Sequence, residues 1–453
     1  NDAVWPEELR HEDLYNQMGE GDYGVGVFDA YNAEFRLSDY RNRDLYYPEN
    51  GSGTVLDIMV SVWTYWMAAT DCDGYRIDTF KHVPPPTARI FTQRIREFAS
   101  KIGKDNFLMM GEIGGLDAQA ATYLDIPGLH VLELGARRYQ LRTLAAGQGQ
   151  ATVSNVLMPT MSTVDGLNDK SVSDSDRAVL EGIGRSDAHA LANRVVTSID
   201  DHDGLGYDKR RIAAEFGPGA VIPATALLFF GPGVPCLFYG TEQALRGPIG
   251  QGSNLNNYGV TNEAQGADRY LREAMFGPQH PRSPGLAGVN GQFDTDLPGF
   301  GPCGTSGLSV FDPSSQWYSG IATLAKLRSK HHVLAIGEIT VLDSGGVTGA
   351  RFGIGCIPPS VVAWLRRDAN TGAVALIVVN TQSSSGASSW PLPVTLGLPA
   401  WVVGLGRFRR LAAIPPTNRE AVARPITRRP QSGFRCVDLG DISGCCVAVY
   451  LAE

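Results

Sequence analysis

An arginine, an aspartate, a lysine and a histidine crowd the end of one extended run, Gly74-Tyr75-Arg76-Ile77-Asp78-Thr79-Phe80-Lys81-His82. Four polar groups within seven residues are costly in a packed core, so the run has to open onto a polar surface. Its first half reads as a β-strand, whose side chains alternate between faces. Arg76 and Asp78 then share one face, and Tyr75 and Ile77 the other. A guanidinium on that face holds the carboxylate ionised and fixes its rotamer, which a carboxylate nucleophile requires. A structural Arg–Asp pair fits the same two residues; Lys81 and His82 weigh against it.

Two more acids stand in the same setting. Phe107-Leu108-Met109-Met110-Gly111-Glu112 reads as a short buried strand with Glu112 at its C-terminal end, preceded by a helical pattern from Thr87 to Ser100. Val195-Val196-Thr197-Ser198-Ile199-Asp200-Asp201-His202-Asp203-Gly204 repeats the arrangement, with His202 and Asp203 just past a β-branched run. Further strand and helix patterns alternate. Val55 to Ala69 reads as an amphipathic helix whose Trp63 and Trp66 serve packing. A strand follows near 130–134, a helix near 220–230 and a strand at 235–239. Repeated β/α units of this kind argue for a parallel sheet.

The order strand-Asp, strand-Glu, strand-Asp, with helices between, resembles the α-amylase superfamily, glycoside hydrolase family 13. Gly74 to His82 is similar to the second signature of that family, Gly111-Glu112-Ile113 to the third and Ile199 to Asp203 to the fourth; Gly233 to Glu242 looks like its eighth-strand motif. The resemblance implies a (β/α)8 TIM barrel followed by a C-terminal antiparallel β-sandwich, with catalytic residues at strand C-termini. It implies Asp78 as nucleophile, Glu112 as general acid/base and Asp203 as transition-state stabiliser. Arg76 and His202 then bind sugar at the cleavage point, and Lys81 and His82 lie toward the leaving group. Retaining cleavage of a glycoside needs two carboxyl groups about 5–5.5 Å apart, one attacking the anomeric carbon and one protonating the departing oxygen. No cofactor is required for that chemistry. The His82 carbonyl matches a calcium-ligand position of the family, so a structural calcium is compatible, its other ligands being unknown.

The first signature of the family, an aspartate-rich strand ending in Asn-His, is not found ahead of Gly74. A parallel barrel does not close with five strands, because open edges expose unpaired backbone. The expectation is that the first three strands come from a second polypeptide or from a longer form of the protein. On this reading residues 1–50 are a remnant of the irregular domain inserted on the active-site face. Residues 51–333 carry the fourth to eighth barrel strands, with a long Gly-, Pro- and Asn-rich loop over 246–315, and 334–453 form the β domain. Short β-branched runs such as 361–365 and 374–379, separated by turns, support the last assignment.

With 453 residues, two or three domains are expected. A formal net charge of −8 argues against nucleic acid or an anionic membrane as partner and suits an uncharged α-glucan or maltooligosaccharide. No apolar run approaches the roughly 18–20 residues of a membrane span. Seven cysteines cannot all pair within the chain; Cys72 and Cys236 read as buried thiols, and a disulfide involving Cys445 or Cys446 stays open. A starch-type substrate tilts localisation toward secretion over the cytoplasm. Three functions fit: a retaining α-1,4-glucan hydrolase; a transglycosylase or isomerase with the same carboxylates; and a non-catalytic amylase-like binding or assembly module.

Overall fold

Parallel strands carry the acids. The computed structural model describes residues 15–16, 36–37, 55–78, 80, 83, 85–112, 123, 131–133, 195–202, 211–245, 312–342, 360–381, 392–398, 400–402, 407–414, 427–428, 435–442 and 445–453. These fall into two compact units, one up to Val196 and the other from Thr197 to Glu453. In the first, a two-residue antiparallel ladder joins β1 (Tyr15–Asn16) to β2 (Arg36–Leu37).

The rest of that unit is a β/α succession. Helix α1 (Val55–Thr70) leads into β3 (Gly74–Ile77), and α2 (Pro85–Lys101) leads into β4 (Leu108–Glu112). Strands β5 (Val131–Glu133) and β6 (Val195–Ser198) follow, and β3–β4, β4–β5 and β5–β6 pair in parallel. Leu56, Val60 and Met67 form the buried stripe of α1, and Ala88, Thr92, Ile95 and Ala99 that of α2, at the three- and four-residue spacing of an amphipathic helix. Gly103, at φ 82°, closes α2 in the left-handed conformation that glycine adopts without strain. Trp63 and Trp66 are 38% and 48% exposed, so the expected packing role is limited to edge contacts, Trp63 with Tyr75 and Trp66 with Tyr65, each at 5.4 Å between ring centroids.

In the second unit a short helix α3 (Ile212–Glu215) and a 3-10 turn precede α4 (Val221–Phe230) and β7 (Val234–Cys236). All ten residues of α4 are buried, as its uniformly apolar sequence requires. Val234 and Cys236 of β7 are exposed, and Cys72 is half-buried, which corrects the reading of both cysteines as buried thiols.

Helices α5 (Gln316–Lys330) and α6 (Val333–Ile336) lead into an antiparallel five-stranded sheet ordered β12-β15-β10-β9-β8. Its members are β8 (Glu338–Leu342), β9 (Val361–Arg367), β10 (Val374–Asn380), β12 (Phe408–Ile414) and β15 (Val447–Ala452). A three-stranded sheet joins β11 (Leu392–Leu398), β14 (Arg435–Ile442) and β13 (Thr427–Arg428). Alternation along β10 sorts the core. Ala375, Ile377 and Val379 pack with α4, α5 and α6, while Val374, Leu376 and Val378 pack with Val394, Leu396 and Leu439 of the smaller sheet. Two sheets sharing one apolar layer make a sandwich, and the central strands β9 and β10 of the larger are buried on both faces.

Arg366 ties this sheet to the helices. Its guanidinium donates to the carbonyls of Phe230, Gly231, Ala335 and Gly337, each at 3.0 Å, and Trp364 Nε1 donates to Phe230 as well. The cation thus sits at the C-terminal ends of α4 and α6, where unpaired carbonyls concentrate negative potential.

Candidate active site

Adjacent parallel strands place two acids side by side. The register pairs Arg76 with Met110 and Ile77 with Gly111, so Asp78 and Glu112 each stand one residue farther along neighbouring tips. Close approach of these strands depends on Gly74, where a Cβ would meet the Leu108 carbonyl oxygen at 2.6 Å. Arg76 Nη1 donates to Asp78 Oδ1 at 2.7 Å, and Nη2 lies 3.4 Å from Glu112 Oε2. One guanidinium therefore spans both carboxylates, with the shorter, charge-assisted contact to Asp78. The Asp78 side chain is 69% exposed and that of Glu112 only 21%, so the two acids differ in solvation as well as in partner distance.

Tyr75 projects to the other face of β3. It stacks edge-on against Phe107 at 4.9 Å and donates its hydroxyl to the Trp63 carbonyl; burial, then the neighbouring Cys72, pushes its phenol well above the ordinary value. The chain beyond Asp78 is held from below. Phe80 is buried against Tyr123, ring centroids 5.6 Å apart, and Tyr123 donates its hydroxyl to the Val83 carbonyl at 3.0 Å. Lys81 and His82 lie between these two anchors and outside the described residues.

In the second unit, Asp200 and Asp201 are buried just beyond β6 and His202 is half-buried. Asp203 lies outside the described residues. Asp200 Oδ1 accepts from the Ile212 amide at 2.7 Å and Oδ2 from the Thr241 hydroxyl at 2.9 Å. Arg211, fully buried, donates to the Tyr239 carbonyl at 2.6 Å and lies 4.6 Å and 5.0 Å from the ring centroids of Phe238 and Tyr239. Reading the sequence passed over Asp200, Arg211 and Thr241. Only the buried position of Asp200 within Ile199-Asp200-Asp201 signals its structural use, and its partners lie far along the chain.

Among the described residues no group of three or more His, Cys, Asp or Glu side chains is placed to hold a metal ion. No described helix is long and apolar enough to cross a membrane.

No family model matches the chain. An α-amylase of Streptomyces lividans is 24% identical over 348 residues, 73% of this chain and 30% of its own length. A cyclomaltodextrin glucanotransferase of Klebsiella oxytoca is 26% identical over 361 residues, 76% of this chain and 45% of its own. The chain thus spans less than half the length of either curated relative. Among solved structures, an Anoxybacillus α-amylase matches with TM-score 0.55 and 16% identity, over 98% of this chain and 71% of that one. The α-amylase of Geobacillus thermoleovorans complexed with acarbose matches with TM-score 0.54 and 16% identity, over 98% and 72%. Parallel strands and helices followed by an antiparallel β domain are thus a fold shared with α-amylases. The chain is similar to members of the α-amylase superfamily.

Proposed function

We propose that the protein is a retaining glycoside hydrolase acting on α-1,4-glucosidic bonds of an α-glucan or maltooligosaccharide. The observation that carries this is the Arg76 guanidinium spanning Asp78 and Glu112 at the tips of adjacent parallel strands. In this reading Asp78 attacks the anomeric carbon while Glu112 gives its proton to the departing oxygen. Glu112 then takes a proton from the water that displaces Asp78. Asp203 steadies the positive charge that builds on the ring, His202 and Arg76 hold the sugar at the cleavage point, and Lys81 and His82 face the leaving group.

The catalytic module on this proposal is a closed (β/α)8 barrel in which β3 to β7 are the fourth to eighth strands. Among the described residues the sheet order stops at β3, which supports further strands on that side. Residues 1–50 would lie on the active-site face, 51–333 would belong to the barrel and 334–453 to the β domain. Structural calcium through the His82 carbonyl, and export from the cell, belong to the same proposal.

Transglycosylation is the second reading, favoured by the likeness to a cyclomaltodextrin glucanotransferase. It keeps the same carboxylates and hands the glycosyl unit to a sugar instead of water. Incubation with maltoheptaose, with Asp78→Asn alongside, decides. Shorter products of retained α configuration, absent from the variant, are expected. Longer or cyclic products would move the assignment to transfer, and equal turnover by Asp78→Asn would remove Asp78 as nucleophile.

A further inference from the structure

The segment that carries His202 and Asp203 leaves β6 through a carboxylate already occupied. Asp200 is 3% exposed and is hydrogen-bonded on both oxygens, by the Ile212 amide and the Thr241 hydroxyl. The Ile212 amide opens α3, whose N-cap Arg211 offers no side-chain acceptor, so Asp200 caps the helix from across the fold. Thr241 sits in an equally constrained place. It follows Gly240, at φ 84°, where a Cβ would meet Leu245 Cδ2 at 2.8 Å and Arg211 Nη1 at 3.0 Å. Arg211 fixes the residue before that glycine through the Tyr239 carbonyl. Two residues past Thr241, Gln243 pairs through its amide group with both backbone groups of Asp312, each at 3.2 Å.

We propose that Asp200, Thr241 and Arg211 are positioning residues that set the strand exit carrying His202, the last described residue before Asp203. This rests on the role given to Asp203 above. A buried carboxylate satisfied on both oxygens admits little displacement, because any shift leaves charge unpaired in a low-dielectric setting. His202, half-buried, is two residues farther on, so the geometry of Asp200 passes along the chain to it. A misplacement of about 1 Å costs on the order of 100-fold in rate, which makes the exit a more sensitive control of turnover than of sugar affinity.

Thr241→Val removes the hydroxyl at nearly constant volume, and Thr241→Ser keeps it. Three measurements test the proposal: steady-state kinetics on maltoheptaose, amide hydrogen exchange over 199–204, and the thermal midpoint. Thr241→Val is expected to lower kcat by roughly 10- to 100-fold, to leave KM within about threefold and to speed exchange at 201–204. Thr241→Ser is expected to restore both rate and protection. Wild-type exchange at 201–204 in Thr241→Val, with only the thermal midpoint lowered, would overturn the proposal, and so would a Thr241→Ser variant indistinguishable from Thr241→Val. If the wild-type protein does not turn over maltoheptaose, the catalytic reading fails, while the exchange comparison still decides the positioning.

Discussion

Replacing Gly74 with alanine puts one methyl group where β3 and β4 come closest. The new Cβ would lie 2.6 Å from the Leu108 carbonyl oxygen and 2.9 Å from Leu108 Cβ. Both atoms are fixed to the backbone, so no rotamer change relieves the contact. Reaching the 3.4 Å at which ordinary contact begins requires about 0.8 Å of separation between the strands. Overpacking of this kind destabilises by about 1–3 kcal/mol. Because Ile77 and Gly111 are register partners, the displacement also passes to Asp78 and Glu112 at the tips. A shift approaching 1 Å between groups that must converge on one glycosidic bond is expected to lower kcat by ~10- to 100-fold. Gly103→Ala is the control. It has no atom within 4 Å of its new Cβ, and its φ of 82° imposes a strain of about 1–2 kcal/mol far from the acids. Urea unfolding and maltoheptaose kinetics on both variants separate the effects. Similar losses of stability are expected, with a loss of kcat in Gly74→Ala alone. Unchanged kcat in Gly74→Ala, or equal losses in both variants, would refute the link between strand spacing and acid geometry.

Glu112→Gln is expected to impair maltooligosaccharides far more than activated aryl glycosides, since only a poor leaving group needs full protonation; equal loss on both classes would show that Glu112 is not the acid. Arg366→Met removes four hydrogen bonds to backbone carbonyls, leaves buried acceptors unsatisfied and should cost at least about 2 kcal/mol in urea unfolding. Burial pushes the Arg366 guanidinium down to about 9, which leaves it charged at neutral pH. Arg366→Lys should fail to restore the loss, because an ammonium cannot span the planar fork of carbonyls; full rescue by lysine would contradict this. In the β9–β10 turn, the Thr371 hydroxyl and then the Asn370 amide hold the Asp368 carboxyl below its ordinary 3.8. The unfolded chain then takes up the proton first as pH falls, so this contribution is complete above about pH 4 and lost below it. The gap in thermal midpoint between wild type and Asp368→Asn should therefore shrink from pH 7 to pH 3, and a constant gap would oppose the assignment.

Periodicity was a sound guide wherever one face of an element meets a core. The pattern over 55–69 became α1 at Val55–Thr70, and that over 87–100 became α2 at Pro85–Lys101. The short strand β7 was harder to read. Gly233 adopts φ 100°, Pro235 lacks an amide, and pairing ends at Cys236, so an apolar stretch that looked continuous to Tyr239 gives way to a turn. Arg76, Asp78 and Glu112 were legible because the alternation of a strand and the register of two parallel neighbours suffice to converge them. Asp200 was not, because Thr241, which occupies one of its oxygens, lies 41 residues away. Lys81, His82 and Asp203 fall outside the described residues.

The contrast between Asp78 and Asp200 shows what an acid at a strand tip does and does not imply. Both follow short strands. Asp200 is 3% exposed and spends both oxygens on an amide and a hydroxyl of its own chain, so it has none to offer a sugar. Asp78 keeps a 69% exposed side chain steadied by a single guanidinium. That guanidinium reaches Glu112 as well, at 3.4 Å against 2.7 Å. Position at the strand tip makes an acid a candidate, and the partners of its two oxygens decide between chemistry and scaffold.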